Sequence, residues 1–343
     1  MRAWHLRNFR PGDEPGIAAL FERGFGRRID EDVWRWKYQQ SPVENVWLGV
    51  DASERPIFHY AGVPRQWMIA GDLRPAMVTF DGVTDPDFRR QGLFTAGMRA
   101  SHDTWTTAGF AAILGLPNER WGSRVEVLDW RPLFPLRWRI RPLRPEVLLA
   151  KRTGIAVLGR LHCLRTLADV FWDRRPDPAI EIREAESAED LGAVWETCWD
   201  VDRIGLVRDR DWLDWRYFRC PSYRFRALTA HRGNAIDGYL IYRFDDDHRY
   251  GFLADLLTRP ADAAAQRALL AGAVDRLRRR GAVAVASLAI PGTELDRCLR
   301  RAGFVRGWGE FTVRCVPLAG DLPFDTLKDR RRWWMCGGDF DVI

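Results

Sequence analysis

The chain has 343 residues, 46% of them hydrophobic and 29% charged, with a formal net charge of +6. That balance excludes a disordered, collagen-like or low-complexity chain, and the length suits two globular domains at about 100–200 residues each. Six cysteines without a C-x-x-C pair exclude a disulfide framework and a zinc cluster, and the absence of any long apolar run or apolar leader makes a cytoplasmic protein the expectation.

The first predicted element is a strand at Leu6–Asn8, followed by a helix that Asp13 caps and Pro15 enters early. Strands are predicted near Val46–Val50, Phe58–Gly62 and Met77–Thr84. A long helix at Gly92–Ala108 carries apolar residues at helical spacing and ends at Gly109, a residue suited to the left-handed position after a helix. Phe110–Leu116 reads as a buried strand, so strand, helix and strand make a crossover unit with two parallel strands. Pro132, Pro135, Pro142 and Pro145 then exclude one continuous helix. Arg137, Arg139 and Arg141 alternate with Trp138 and Ile140, as on a strand whose arginines face solvent. Ile155–Phe171 is amphipathic and predicts a connector helix.

After the connector the series begins again. A strand at Glu181–Arg183 leads to a helix capped by Ser187, then strands at Phe225–Ala230, Ile236–Arg243 and Phe252–Thr258. A helix at Ala264–Arg280 stops at Gly281, and a strand at Ala282–Ala289 follows. The residues match as well as the elements. Asp32, Trp36, Tyr38 and Pro42 reappear as Asp211, Trp215, Tyr217 and Pro221 at a spacing of 179, with Arg216 in the place of Lys37. Asp81, Thr84, Pro86 and Pro117 reappear as Asp255, Thr258, Pro260 and Pro291 at a spacing of 174. A period this long points to two copies of one domain, and a change in loop length accounts for the shift in spacing. The expected division is a first domain at 1–145, a connector at 146–178 and a second domain at 179–343.

One segment carries chemistry: Val83-Thr84-Asp85-Pro86-Asp87-Phe88-Arg89-Arg90-Gln91-Gly92-Leu93-Phe94-Thr95. It joins a strand to a long helix. Gly92 lets a ligand approach the main chain, the first amides of the helix lack partners within it, and Arg89 and Arg90 add positive charge. Such a turn binds phosphate or pyrophosphate. The segment resembles the acetyl-CoA-binding signature of the GCN5-related N-acetyltransferase superfamily, V-x-P-x-[YF]-R-x-x-G-x-[GA], with Phe94 in place of the last small residue. Asn118 and then Asp129-Trp130 resemble the superfamily's closing N…GF. The resemblance implies an α/β (α+β) chain of two tandem domains, each a mixed twisted sheet flanked by helices. It implies that acetyl-CoA lies beside the fourth strand, its pantetheine arm on Gly82, Val83 and Thr84. Arg89, Arg90, Gln91, Gly92, Leu93, Phe94, Thr95 and Asn118 complete its site. The matching stretch of the second copy, Thr258 to Gln266, has lost the arginine pair and the glycine, so a fold-retaining copy without cofactor is expected there.

Acetyl transfer to an amine needs a base, an oxyanion donor and a proton for the thiolate. Asp81, at the mouth of the implied cleft, is a candidate base, although Asp255 in the other copy gives it an equally good structural reading. Glu119 and Glu126 compete with it. The superfamily's usual acid is a tyrosine, whose place here is taken by Val125; Tyr60 and Ser123 are the alternatives. The tail from Trp333 offers Asp339, Asp341 and the terminal carboxylate of Ile343, against the plainer reading of an edge strand. The six histidines show no metal-ligand spacing, so no metal is expected. The leading expectation is an N-acetyltransferase acting on a small amine, without nucleic acid or membrane; association of like chains is left open. The alternatives are a longer-chain acyltransferase on a cell-envelope or sugar precursor, and a CoA-binding regulator without turnover.

Overall fold

A computed structural model of the chain describes residues 3–39, 44–118, 121, 124–154 and 177–340. The chain packs as two compact units, Met1–Phe134 with Thr312–Lys328, and Pro135–Phe311 with Asp329–Ile343.

Unit 1 opens with β1 (Trp4–Asn8), α1 (Glu14–Phe25), α2 (Glu31–Tyr38) and β2 (Val46–Asp51). Asp13 stands before α1 but does not cap it; its carboxylate is held by Arg7 at 2.7 Å. Asp30 does cap α2, accepting from the amides of Asp32 and Val33. β3 (Pro56–Ile69) and β4 (Asp72–Thr84) form a long hairpin. Its turn uses Ala70 and Gly71 at φ 53° and 89°, the left-handed conformation of a tight two-residue connection. α3 (Leu93–Thr107) crosses over to β5 (Ala112–Gly115), which runs parallel to β4 and is followed by α4 (Arg124–Val127). Phe58, Leu93, Met98, Trp105 and Trp130 are buried together between helix and sheet.

Unit 2 repeats the plan with β7 (Glu181–Ala185), α6 (Glu189–Cys198), the short β8 (Gly205–Leu206) and α7 (Arg210–Leu213), which opens into a wide turn at Asp214–Phe218. β9 (Phe225–Arg232), β10 (Ala235–Asp245), β11 (Tyr250–Thr258), α8 (Ala263–Arg279), β12 (Ala284–Ala289) and α9 (Glu294–Arg301) follow. The cap of α6 is at Ala188, one residue after the expected Ser187.

The ends of the two sheets depart from the sequence reading. β6 (Arg131–Pro142) follows the first repeat in the chain, yet its residues Arg137–Pro142 pair with β12 in unit 2. β13 (Val305–Pro317) ends the second repeat, yet Arg314–Pro317 pair with β5 in unit 1. The strand set of each unit is therefore completed by a strand from the opposite half of the sequence. The units are discontinuous, in contrast to the expected continuous stretches 1–145 and 179–343. α5 (Pro145–Thr153) begins the stretch expected to connect them; the predicted helix at 155–171 lies outside the described residues. The exchange also corrects the reading of the β6 arginines. Arg139 and Arg141 are buried, Arg139 paired with Asp296 at 2.5 Å and Arg141 bonded to the carbonyl of Ala302, while Arg137 pairs with Glu310 at 2.6 Å. A strand taken inside a sheet carries its charges with it, and they persist there only when paired.

Candidate functional site

The site in unit 1 begins with a parting of two strands. β4 pairs with β5 only from Ala76 to Val78, then runs on six residues alone on that side. Its register against β3 shifts there: Phe80 faces Ala61, whereas Val83 faces His59. Asp81 and Gly82 together thus oppose Tyr60, a bulge with Asp81 at φ 54°. Bulges bend a strand and free part of its ladder, and this one aims the strand end away from β5.

The turn after β4 is built to stay open. Asp85 accepts from the amide of Asp87 and is locked by Arg23 of α1 at 2.7 Å. Phe88 is buried in the core and pins the turn from below. Arg90 and Gly92 take left-handed backbone at φ 62° and 79°. Among the described residues no side chain caps α3 at Gly92, and a methyl built there would meet nothing within 4 Å. The first amides of the helix therefore face open space, at the positive end of its dipole.

This space is a cleft of about 810 Å³. Gly82, Val83, Thr84, Arg89, Arg90, Gly92, Leu93, Phe94, Thr95 and Asn118 all line it. Gln91 does not; its amide group reaches back to the carbonyl of Asp87 at 3.3 Å and shapes the turn. Among the described residues the buried hydroxyl of Thr84 has no hydrogen-bond partner, the condition of a polar group whose partner is a ligand or water. The lining also includes Trp121, which the sequence offered as a ring able to stack on a sugar, and Arg23, Gly24 and Phe25 of α1, which the sequence did not point to. Nothing local to α1 marks it as a cleft wall. The signal for Gly24 is steric: a methyl there would fall 2.2 Å from Val83, so only glycine lets α1 close on β4.

Asp81 lies beside the cleft's inner end, not in its lining, and it is engaged. Lys37 and the Tyr38 hydroxyl each reach its Oδ2 at 2.7 Å, and its carbonyl meets Nδ1 of His59 at 2.9 Å. Burial alone raises an acid, but the Lys37 ammonium and these hydrogen bonds outweigh it and hold the carboxyl below its ordinary range. A carboxylate so held is a weak proton acceptor. Burial pushes His59 down to about 4, so it is neutral. Glu126 is exposed on α4, Val125 is buried in the core, and Glu119, Ser123, Asp341 and Ile343 lie outside the described residues.

No family model and no curated protein matches the sequence. Solved structures do match the fold. A conserved protein of unknown function from Enterococcus faecalis V583, a probable N-acyltransferase, matches with a TM-score of 0.68 at 12% identity, over 95% of this chain and 74% of that one. A GCN5-related N-acetyltransferase from Anabaena variabilis ATCC 29413 matches with a TM-score of 0.64 at 9% identity, over 92% and 73%. One from Kribbella flavida matches at 0.62 and 13% identity, over 92% and 72%. The chain has the GCN5-related N-acetyltransferase fold.

The second copy of that fold has a different fate. β11 pairs with β12 from Tyr250 to Leu253 and then parts from it, with its own register shift beside Asp255. Here the parting is filled. The tail from Trp333 to Phe340 is buried throughout, and its short turn Gly337–Asp339 packs against β11 and β12. The Trp334 indole donates to the carbonyl of Leu256 at 2.7 Å; by the repeat, Leu256 is the counterpart of Gly82. Arg216 donates to the carbonyls of Gly338 and Phe340, and Arg208 lies between Asp255 (3.0 Å) and Asp339 (2.7 Å). Asp339, a candidate for chemistry in the sequence reading, is thus a buried structural ion of unit 2. The start of α8 is also closed: Asp262 caps it through the amide of Ala265, and Glu294 accepts from the amide of Ala261 at 3.0 Å.

Proposed function

We propose that the protein is an acyltransferase that binds acetyl-CoA in the unit 1 cleft and transfers the acetyl group to a small amine in a ternary complex. The observation that carries this reading is the uncapped start of α3, opening with Arg89 and Arg90 onto a cleft large enough for the arm of a nucleotide thioester. In this reading the amides from Gly92 to Thr95 receive the diphosphate, with the two arginines at its edge. The edge of β4 from Gly82 to Thr84 receives the arm, and Asn118 closes the opposite wall. The chain's part in the reaction is to hold the thioester in line for the amine and keep bulk water from it. Asp81, tied to Lys37, shapes the bulge, and proton removal falls to water or to the amine's own equilibrium.

Calorimetric titration with CoA tests the proposal. One site per chain is expected. Gly92→Asp, and separately Arg89→Glu with Arg90→Glu, should weaken binding about a hundredfold or more, since each puts negative charge where phosphate would sit. The circular dichroism spectrum should not change. Unaltered affinity in both variants would overturn the site. Release of free thiol from acetyl-CoA across a panel of small amines then tests turnover, and its absence with every amine would leave a CoA-binding regulator.

A further inference from the structure

The inner end of the cleft limits what it can hold. Gly82 is the first residue of β4 to line it. A methyl built on Gly82 would lie 3.6 Å from the Trp121 ring, 3.6 Å from Tyr60 and 3.7 Å from Phe94, each an ordinary van der Waals contact. The space over Gly82 is therefore walled by three aromatic rings that a single methyl group already touches. Its walls interlock. Phe94 meets Trp121 edge-on at 5.2 Å between ring centres, Trp121 meets Trp130 at 5.6 Å, and Phe58 meets Phe94 at 6.0 Å. Rings packed this way shift only together, at a cost. Behind them stand Tyr60 and His102, and burial leaves His102 neutral, its pKa pushed down to about 4. Among the described residues, Phe58, Trp130, Tyr60 and His102 pack around these two rings, and none of them carries a charge to meet an ionised acyl end.

We infer that Phe94 and Trp121 are specificity-determining residues that restrict the donor to a short, neutral acyl group, excluding long-chain and carboxyl-bearing thioesters. The inference rests on the proposed donor site. The large ring at Phe94, where the resembling signature has a small residue, is in this view the stop at the end of the channel. A longer chain must displace packed rings, and a carboxylate must shed its water without gaining a partner.

The test is calorimetric binding of CoA, acetyl-CoA, octanoyl-CoA and succinyl-CoA to the full chain, so that turnover and acceptor play no part. CoA and acetyl-CoA should bind alike, with octanoyl-CoA and succinyl-CoA weaker by at least about tenfold. Trp121→Ala, and independently the milder Phe94→Leu, should narrow the gap for octanoyl-CoA several-fold and leave that for succinyl-CoA in place. If octanoyl-CoA binds the unaltered chain as tightly as acetyl-CoA, the inference is wrong even if both variants fail to fold. CoA binding with a flat acyl series removes the inference alone; failure of CoA itself to bind removes the donor site with it.

Discussion

Two partings of strands in this molecule share an ancestry in sequence and have opposite contents. In unit 1, β4 leaves β5 and an open cleft follows, with an uncapped helix at its mouth. In unit 2, β11 leaves β12 and the chain's own tail fills the gap, with Asp262 seated on the helix start. A tyrosine bonded to an aspartate is common to both, Tyr38 with Asp81 and Tyr217 with Asp255. The shared pair supports the bulge that splits the strands. What differs is the content of the gap, and the turns differ with it: Gly92 comes six residues after Pro86, whereas Asp262 comes two residues after Pro260. The split strand is thus common to both copies, and the open loop proposed to bind the cofactor belongs to one of them.

The largest difference in stability between the units is expected at the buried arginine. Arg208→Ala leaves Asp255 and Asp339 facing each other without a cation and should cost about 3–5 kcal/mol, while Lys37→Ala, beside a partly exposed Asp81, should cost less than about 3. Urea unfolding followed by tryptophan fluorescence measures both, and an equal cost would show that the tail does not hold unit 2 together.

Asp339 of unit 2 and two buried histidines of unit 1 should respond to acid with opposite sign. Burial, partly opposed by Arg208 and reinforced by Asp255, raises Asp339 to about 6. The folded state then holds this proton more tightly than the unfolded one, so its contribution to stability falls as pH rises from about 4 through 6. His59 and His102 go the other way. Lowered to about 4 by burial, they favour the fold fully above about 6.5 and lose that contribution as pH falls toward 4. Unfolding free energies across this range should show the first slope vanish in Asp339→Asn and the second flatten in His102→Gln, each by about 1–2 kcal/mol. Variants that track the unaltered chain would refute the assignment. The smallest effect is expected at the second helix start, where Asp262→Ala should cost about 1 kcal/mol of stability and create no CoA site. New CoA binding there would mean that the cap, not the tail, keeps unit 2 empty.

The legible parts of the site were those written in consecutive residues. The order of strands and helices, the left-handed Gly109 and Gly281 and the turn from Pro86 to Thr95 follow from local backbone preferences, which neighbours in sequence impose directly. The repeat showed which features the copies share, because each copy serves as a control for the other. Asp81 was legible as important and ambiguous in role, since its partners Lys37 and Tyr38 are far away in the chain.

By itself, then, the sequence determined a tandem pair of like domains and the open turn between a strand and a long helix that is proposed to receive a phosphate, because periodicity, glycine and proline act over a few residues. Tertiary structure alone decided that β6 pairs with β12 and β13 with β5, that Arg23 walls the cleft, and that the tail seals its twin. Those choices join surfaces distant in the chain. Similar open strand edges stand in both copies, and only the free energy of the packed whole selects which segment each one takes.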